Sequence, residues 1–166
     1  MKQFTIFMVF LSLLLSAAVF GFFYAWVCST MWGLDAADPR VAIAAMQAMN
    51  ASVRNAVFFP AFFLTPVALG GVAVLLYRTQ RHPAIAFAAA AIVYLIGGFI
   101  LTATVNVPMN QELALIAVPD DIDAAATIWR DYSQPWQVWN QTRTIASGLA
   151  FLLAAYGTFL LDRRAI

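Results

Sequence analysis

Long runs of apolar residues, separated by short polar segments, dominate the chain. Runs at about 4–27, 56–77, 84–106 and 136–161 each have the ~20 residues that a helix needs to cross a bilayer. No segment shows a convincing strand pattern, in which apolar and polar residues alternate. The pattern therefore predicts an all-α integral membrane protein, a four-transmembrane-helix bundle that forms one domain over residues 1–166.

The second run is preceded by a clear helix start. Asp38 and Pro39 are typical of an N-cap and of the first helical position. No clear stop signal follows before Tyr77, although the residues up to Ala56 are amphipathic and the later ones are apolar. The sequence thus predicts a long, extended second helix that projects beyond the bilayer.

The segment between the third and fourth runs is polar. A charged turn at 118–121 precedes Asp123–Tyr132, which predicts a short external amphipathic helix. Ser133-Gln134-Pro135 then indicates a new helix start, because proline is favoured in the first helical turn. The fourth spanning helix is therefore predicted to be separate from the external helix.

Composition excludes several classes of protein. Hydrophobic residues make up 63% of the chain and charged residues 10%, whereas a soluble domain has about 25% charged residues. A formal net charge of +1 gives no basis for a nucleic-acid partner. The single Cys28 and the single His82 exclude an internal disulfide and a paired-histidine metal site, so no metal is predicted. The lipid bilayer is the predicted partner, and a homo-oligomer stays open.

The distribution of charge predicts the topology. The basic residues of the short loops and termini are Lys2, Arg78, Arg81, Arg163 and Arg164, and the opposite ends of the runs carry Asp35, Asp38, Glu112, Asp120, Asp121, Asp123 and Asp131. Because short cytoplasmic loops are enriched in lysine and arginine, both termini are predicted to be cytoplasmic. The expected location is the cell membrane, as a multi-pass protein, in a bacterial inner membrane.

Three of the predicted helices carry polar faces at the same depth. These residues are Gln47, Asn50, Arg54 and Asn55 on the second helix, Asn106, Asn110 and Glu112 on the third, and Trp136, Trp139, Asn140 and Arg143 on the fourth. Amides in membrane helices often serve only as interhelical hydrogen bonds, and tryptophans often lie at the lipid interface. Arg143 favours a pocket instead, because a guanidinium at this depth needs a partner. We therefore expect an outward-opening cavity lined by amides, indoles and a guanidinium.

Several of these segments resemble the family of small four-span membrane proteins that includes the fungal anthrone oxygenases. The resemblance lies in Gly33-Leu34, in Met46–Asn50 with Asn55, in Asn106-Val107-Pro108-Met109-Asn110, and in Trp136 with the segment Trp139–Thr144. It implies oxidation of an anthrone-like phenol to its quinone by dioxygen, with no evident cofactor motif. Many members have histidine directly after the Trp-Asn pair, where this chain has Gln141.

The resemblance and the residue chemistry together suggest roles for the polar residues. Arg143, Asn140, Asn106 and Asn110 would form the catalytic set, as donors to an enolate oxygen, and Glu112 would be the only local base. Trp136, Trp139, Gln47, Asn50 and Asn55 would bind the flat aromatic or quinone-like substrate.

Two classes of function remain open. The first is a membrane oxygenase or oxidoreductase, and the second is a non-enzymatic membrane protein that binds a small molecule or packs as a subunit of a membrane complex. The sequence has no Rossmann, P-loop, haem or iron–sulfur signature, which leaves a bound quinone or haem open but unsupported.

Overall fold

The computed structural model of the chain describes residues 2–162, and helices cover most of that range. The helices are α1 (Lys2–Asp35), α2 (Pro39–Ser52), α3 (Phe58–Leu76), α4 (Arg81–Ala114) and α5 (Ile122–Phe159). No strand occurs within residues 2–162, which confirms the all-α prediction. Arg163 and Arg164, used above to predict orientation, lie outside the described residues.

The four longer helices form a closed ring. Helix α1 contacts α3 and α5, and α4 contacts the same two helices from the other side. The shorter α2 lies at one end of the ring, where it packs against α5 and the last turns of α4. One apolar core fills the ring and a second, built around Ile43, Met46 and Trp129, fills the space beneath α2.

The outer surface of the ring is apolar. On α1, Ser12 and Ser16 are buried against the other helices while Phe10 and Leu14 are exposed. Exposed apolar side chains on this scale are expected where lipid replaces water as the solvent. By length and apolar composition, α1, α3 and α4 could each cross a membrane. These helices indicate a membrane protein.

Helices α4 and α5 approach closely through small residues. A Cβ atom added at Gly97 would lie only 2.5 Å from the Cβ of Ala146. Ala150 and Ala154, one and two turns further along α5, are fully buried. Glycine is therefore required at position 97 for the two backbones to pack at this distance.

Two helices contain π-helical turns, in which the main-chain hydrogen bonds shift register. In α1 the turn is Trp26–Thr30, and in α4 the turns are Leu95–Ile100 and Thr102–Asn106. The last of them directly precedes Val107 and Pro108, and proline cannot donate a main-chain hydrogen bond. Such turns often mark functional regions of a helix.

The prediction of one long second helix is wrong. The chain forms two helices, α2 and α3, joined by the non-helical residues 53–57. The side chain of Asn55 accepts hydrogen bonds from the main-chain N–H groups of Val57 and Phe58 and donates one to the carbonyl of Ser52. This amide caps both helix ends, and Pro60 follows in the first turn of α3, where no donor is needed.

The prediction of a separate external helix before the fourth span is also wrong. Helix α5 continues from Ile122 to Phe159 with Pro135 inside it. The carboxylate of Asp35, at the end of α1, accepts hydrogen bonds from Trp129 Nε1 (2.9 Å), Ser133 Oγ (2.7 Å) and Gln137 Nε2 (2.8 Å). Because these residues stand on both sides of Pro135, Asp35 holds the two halves of α5 in one line.

The helix start at Asp38 is confirmed. Its carboxylate accepts a hydrogen bond from Arg40 N and forms an ion pair with the Arg40 guanidinium at 2.7 Å. The hydrogen bond to the Arg40 side chain holds the pKa of Asp38 at about 2, below its usual value of 3.8. The cap is therefore intact above the usual carboxyl pKa and is lost only as the pH falls through about 2.

We predict that Asp35→Ala destabilises the fold, because three donors on α5 lose one shared acceptor. The free energy of unfolding should fall by about 1.5–3 kcal/mol, the usual range for hydrogen bonds to a charged group. Thermal unfolding in detergent measures the change. Asp131→Ala is the control, since Asp131 is an exposed acid of α5 whose ion pair is with its neighbour Arg130. Equal stability of the two variants would contradict the bridging role of Asp35.

Candidate functional site

An aromatic-walled cavity of about 330 Å³ lies where the ring of helices meets α2. Its apolar lining includes Phe22, Phe23, Trp26, Phe58, Phe59, Phe62, Phe63, Phe99 and Trp136. Its polar lining consists of Asn50, Arg54, Thr102, Asn110 and Arg143. The volume and the few polar groups in an apolar wall are typical of small-molecule sites.

Arg143 is the most unusual residue of the site. Only 5% of it is exposed, and its guanidinium lies between two aromatic rings, 4.6 Å from the ring centre of Phe23 and 5.2 Å from that of Trp136. Its Nη2 donates to Asn140 Oδ1 at 2.9 Å, its Nη1 contacts Thr102 Oγ1 at 3.4 Å, and its Nε has no partner. Among residues 2–162 no carboxylate forms an ion pair with it. The charge is thus held by ring faces and neutral oxygens alone.

Asn140 fixes the guanidinium from the same helix. Its Oδ1 accepts from Arg143, and its Nδ2 donates to the main-chain carbonyl of Phe23 at 3.2 Å. Phe23 lies just before the π-helical turn Trp26–Thr30 of α1, where the change in main-chain register affects which carbonyls are paired within the helix. The amide therefore links α1 and α5 while it orients Arg143.

A second chain of hydrogen bonds converges on Asn110. Its Oδ1 accepts from Tyr132 Oη at 2.8 Å and from Trp136 Nε1 at 2.9 Å. Asn50 Nδ2 in turn lies 3.4 Å from Tyr132 Oη as a donor. Burial raises the pKa of the Tyr132 phenol, so that it keeps the proton that it donates. With both donors on Oδ1, the orientation of the Asn110 amide is fixed, and its Nδ2 is left to donate elsewhere.

Asn106 lies beside the cavity but does not line it. It is fully buried in the π-helical turn Thr102–Asn106, and neither its Nδ2 nor its Oδ1 has a hydrogen-bond partner. The hydroxyls of Thr102 and Thr104 bond back to the carbonyls of Gly98 and Ile100. The two hydroxyls thus support the irregular backbone one turn earlier, and they form no hydrogen bond with the Asn106 amide.

Four of the predicted site residues lie away from the cavity. Gln47 donates to the carbonyls of Leu113 and Ile116 at the end of α4, and Asn55 caps α3. Glu112 is exposed, in a separate surface depression, and Trp139 is 39% exposed. Trp139 stands at the edge of the helix face that carries Trp136 and Arg143, and its side chain does not line the cavity.

Sequence reasoning missed Tyr132 and the phenylalanine wall. Tyr132 is one turn before Trp136, and this spacing could have placed both on one face. The mistaken helix boundary at Ser133-Gln134-Pro135 separated them. The phenylalanines stand in spanning segments, where their sequence pattern is the same whether they face lipid or a cavity.

Comparison with known proteins adds a family to this geometry. The anthrone oxygenase family model matches residues 49–153. This chain belongs to the anthrone oxygenase family. The matched part of this family member holds Asn50, Asn110, Trp136 and Arg143, whereas the α1 side of the cavity lies before it. No curated protein and no solved structure matches the chain. Within residues 2–162 no group of three or more His, Cys, Asp or Glu side chains is placed to hold a metal ion.

We predict that Tyr132→Phe lowers the free energy of unfolding by about 0.5–2 kcal/mol, because Asn50 and Asn110 both lose a buried partner. Thermal unfolding measures the change, with Tyr156→Phe, an exposed tyrosine of the same helix, as control. Asn50→Ala should add little once Tyr132 is Phe. Fully additive losses would contradict the hydrogen-bond chain.

Proposed function

We propose that this chain is a membrane oxidoreductase that binds a flat phenolic aromatic in the cavity and oxidises it with dioxygen. The observation that carries the proposal is the combination of an aromatic wall with two fixed donors, Arg143 and the Nδ2 of Asn110. Membership of the anthrone oxygenase family supports the same reaction class. A lipid-soluble aromatic would reach the cavity from the bilayer, which is the protein's other partner.

The proposed reaction needs stabilisation of one oxygen anion. An anthrone has a CH₂ group opposite its carbonyl; loss of one proton gives an enolate, which is electron-rich enough to reduce dioxygen. Overall the CH₂ becomes a second carbonyl: one atom of dioxygen enters the product and the other leaves as water with the two hydrogens. Fixed donors directed at the enolate oxygen lower the barrier because they need no reorganisation during the reaction.

The roles follow from the contacts. Trp136 and Phe23 would pack on the ring system, Arg143 and Asn110 would donate to the oxygen, and Asn140 and Tyr132 would hold these donors in place. Glu112 is not proposed as a base, since it is exposed and lies outside the cavity. No direct role is proposed for Asn106, because it does not line the cavity and its buried amide has no hydrogen-bond partner among the described residues. No cofactor is included in the proposal.

We further propose a single domain with four spans, in which the later part of α5 is the fourth. Helix α5 packs against α1 and α4, which are both apolar enough to span. The basic Arg78 and Arg81 stand at one end of the ring, and the acidic Asp35 and Asp120 at the other. The basic end would face the cytoplasm with both termini, and the cavity would open near the outer surface of a bacterial inner membrane.

Reporter fusions test this topology. A fusion after Arg164 and one between Arg78 and His82 should read cytoplasmic, because basic loops stay inside. A fusion between Asp120 and Asp123 should read external. A C-terminal fusion that reads external would exclude four spans.

Oxygen uptake tests the reaction. We expect purified protein to consume dioxygen in the presence of anthrone, and Arg143→Gln to lower the rate per folded molecule about 100-fold, as for the loss of one oxyanion donor. Arg130→Gln is the matched control, since Arg130 is an exposed arginine of the same helix.

The outcomes separate the functions. Loss of folded Arg143→Gln protein with an unchanged rate per remaining molecule would indicate a purely structural arginine. Well-folded wild type that binds aromatics without oxygen uptake would instead be a small-molecule binder. If well-folded wild type shows no oxygen uptake and binds no aromatic, the proposed function is wrong.

A further inference from the structure

The charges that face the cavity are all positive. Arg143 lies in its depth and Arg54 is exposed on the α2–α3 linker that lines it, while the lining contains no aspartate, glutamate or histidine within the described residues. The other polar lining groups, Asn50, Thr102 and Asn110, are neutral. A buried charge is costly unless it is paired. The cavity therefore lacks a negative charge that a ligand could supply.

The partners of Arg143 leave room for such a charge. Arg143 is 95% buried, and the contact of its Nη1 with the Thr102 hydroxyl is long at 3.4 Å, so this atom has no strong acceptor. The two aromatic rings attract the guanidinium, but they do not neutralise it. An anionic oxygen would form a stronger, charge-assisted hydrogen bond with it than these neutral groups do.

The lining also lacks a group that could remove a proton from a ligand. Carboxylates and imidazoles are the usual bases in enzyme sites, and none faces this cavity within residues 2–162. A site with a buried cation and no base suits a ligand that is already ionised. The same cation would disfavour any lining group that had to become protonated beside it.

From these observations we infer that the cavity takes its aromatic ligand as a preformed oxyanion, with the ionised oxygen on Arg143 and the rings against the aromatic wall. This inference rests on the cavity of the proposed function and names its ligand class: fused-ring phenols, enols or aromatic acids in the ionised form. The proton passes to water outside the cavity, and the bonding electron pair stays on the ligand. Arg54 would draw the anion to the mouth.

A pair of ligands that cannot be oxidised under the assay conditions tests the inference. 2-Naphthoate and 2-naphthamide have the same ring and nearly the same shape, and differ by one charge. Binding is measured by fluorescence with the full chain in an uncharged detergent. We expect wild type to bind naphthoate at least about tenfold more tightly, as one charge-assisted hydrogen bond provides. Equal affinity, a preference for the amide, or binding of neither ligand would overturn the inference.

Arginine variants locate the charge that matters. Arg143→Gln should remove the preference for naphthoate and leave naphthamide affinity within about threefold, while Arg143→Lys should keep a reduced preference. Arg130→Gln, on the same helix but exposed and outside the cavity, should behave like wild type. A full preference in folded Arg143→Gln would overturn the assignment to Arg143. If Arg143→Gln does not fold, the inference is tested by whether Arg143→Lys shows a smaller preference for naphthoate than wild type; an unchanged preference would overturn the assignment to Arg143.

A phenol reporter adds a spectroscopic signature. The absorption of 2-naphthol shifts when its hydroxyl ionises, and we expect the bound reporter to ionise at lower pH than the free one. 2-Methoxynaphthalene, which cannot ionise, should bind with little dependence on pH. An unchanged or raised ionisation pH on binding would contradict the inference. Oxygen uptake with anthrone is scored separately, so loss of charge preference and loss of turnover are distinguishable.

Discussion

The buried guanidinium of Arg143 constrains everything around it. A cation that is 95% buried has little water to solvate it, so protein groups must hold it from several sides. Two ring faces, a side-chain amide and a hydroxyl do so, and they come from α1, α4 and α5. Both Phe23 and Thr102 stand at or next to π-helical turns. The irregular backbone and the buried charge thus occur at the same level of the fold.

Helix α5 connects this site to the polar end of the molecule. Its first part packs under α2, and its later part packs between α1 and α4. Tyr132 and Trp136 belong to the apolar core beneath α2, yet both donate to Asn110 of α4. Asp35 keeps the helix continuous past Pro135. Asn50 of α2 is therefore linked to the Asn110 amide of α4 through the hydroxyl of Tyr132 on α5.

The sequence predicts what depends on local pattern. The apolar runs predicted α1, α3 and α4, which are long and apolar enough to span a membrane, and Asp38 with Pro39 predicted the start of α2. Helical spacing also placed Asn140 and Arg143 together. Prediction from the sequence failed where contacts between distant residues override local signals. Pro135 is typical of a helix start, but the hydrogen bonds of Asp35, which is distant in sequence, join the parts of α5 before and after this proline. Gln47 is predicted to line the cavity, but its amide donates to two main-chain carbonyls at the end of α4 instead.

By the resemblance in sequence, many family members have histidine at the position where this chain has Gln141. Gln141 is exposed, and two residues along a helix turn by about 200°, so its side chain points away from the face of Arg143. A histidine at this position would stand outside the cavity and could not act as a base within it. The glutamine therefore removes nothing that the lining uses. Under the proposed function, a ligand that arrives already ionised needs no imidazole there, and it would depend on the donors of Arg143 and Asn110.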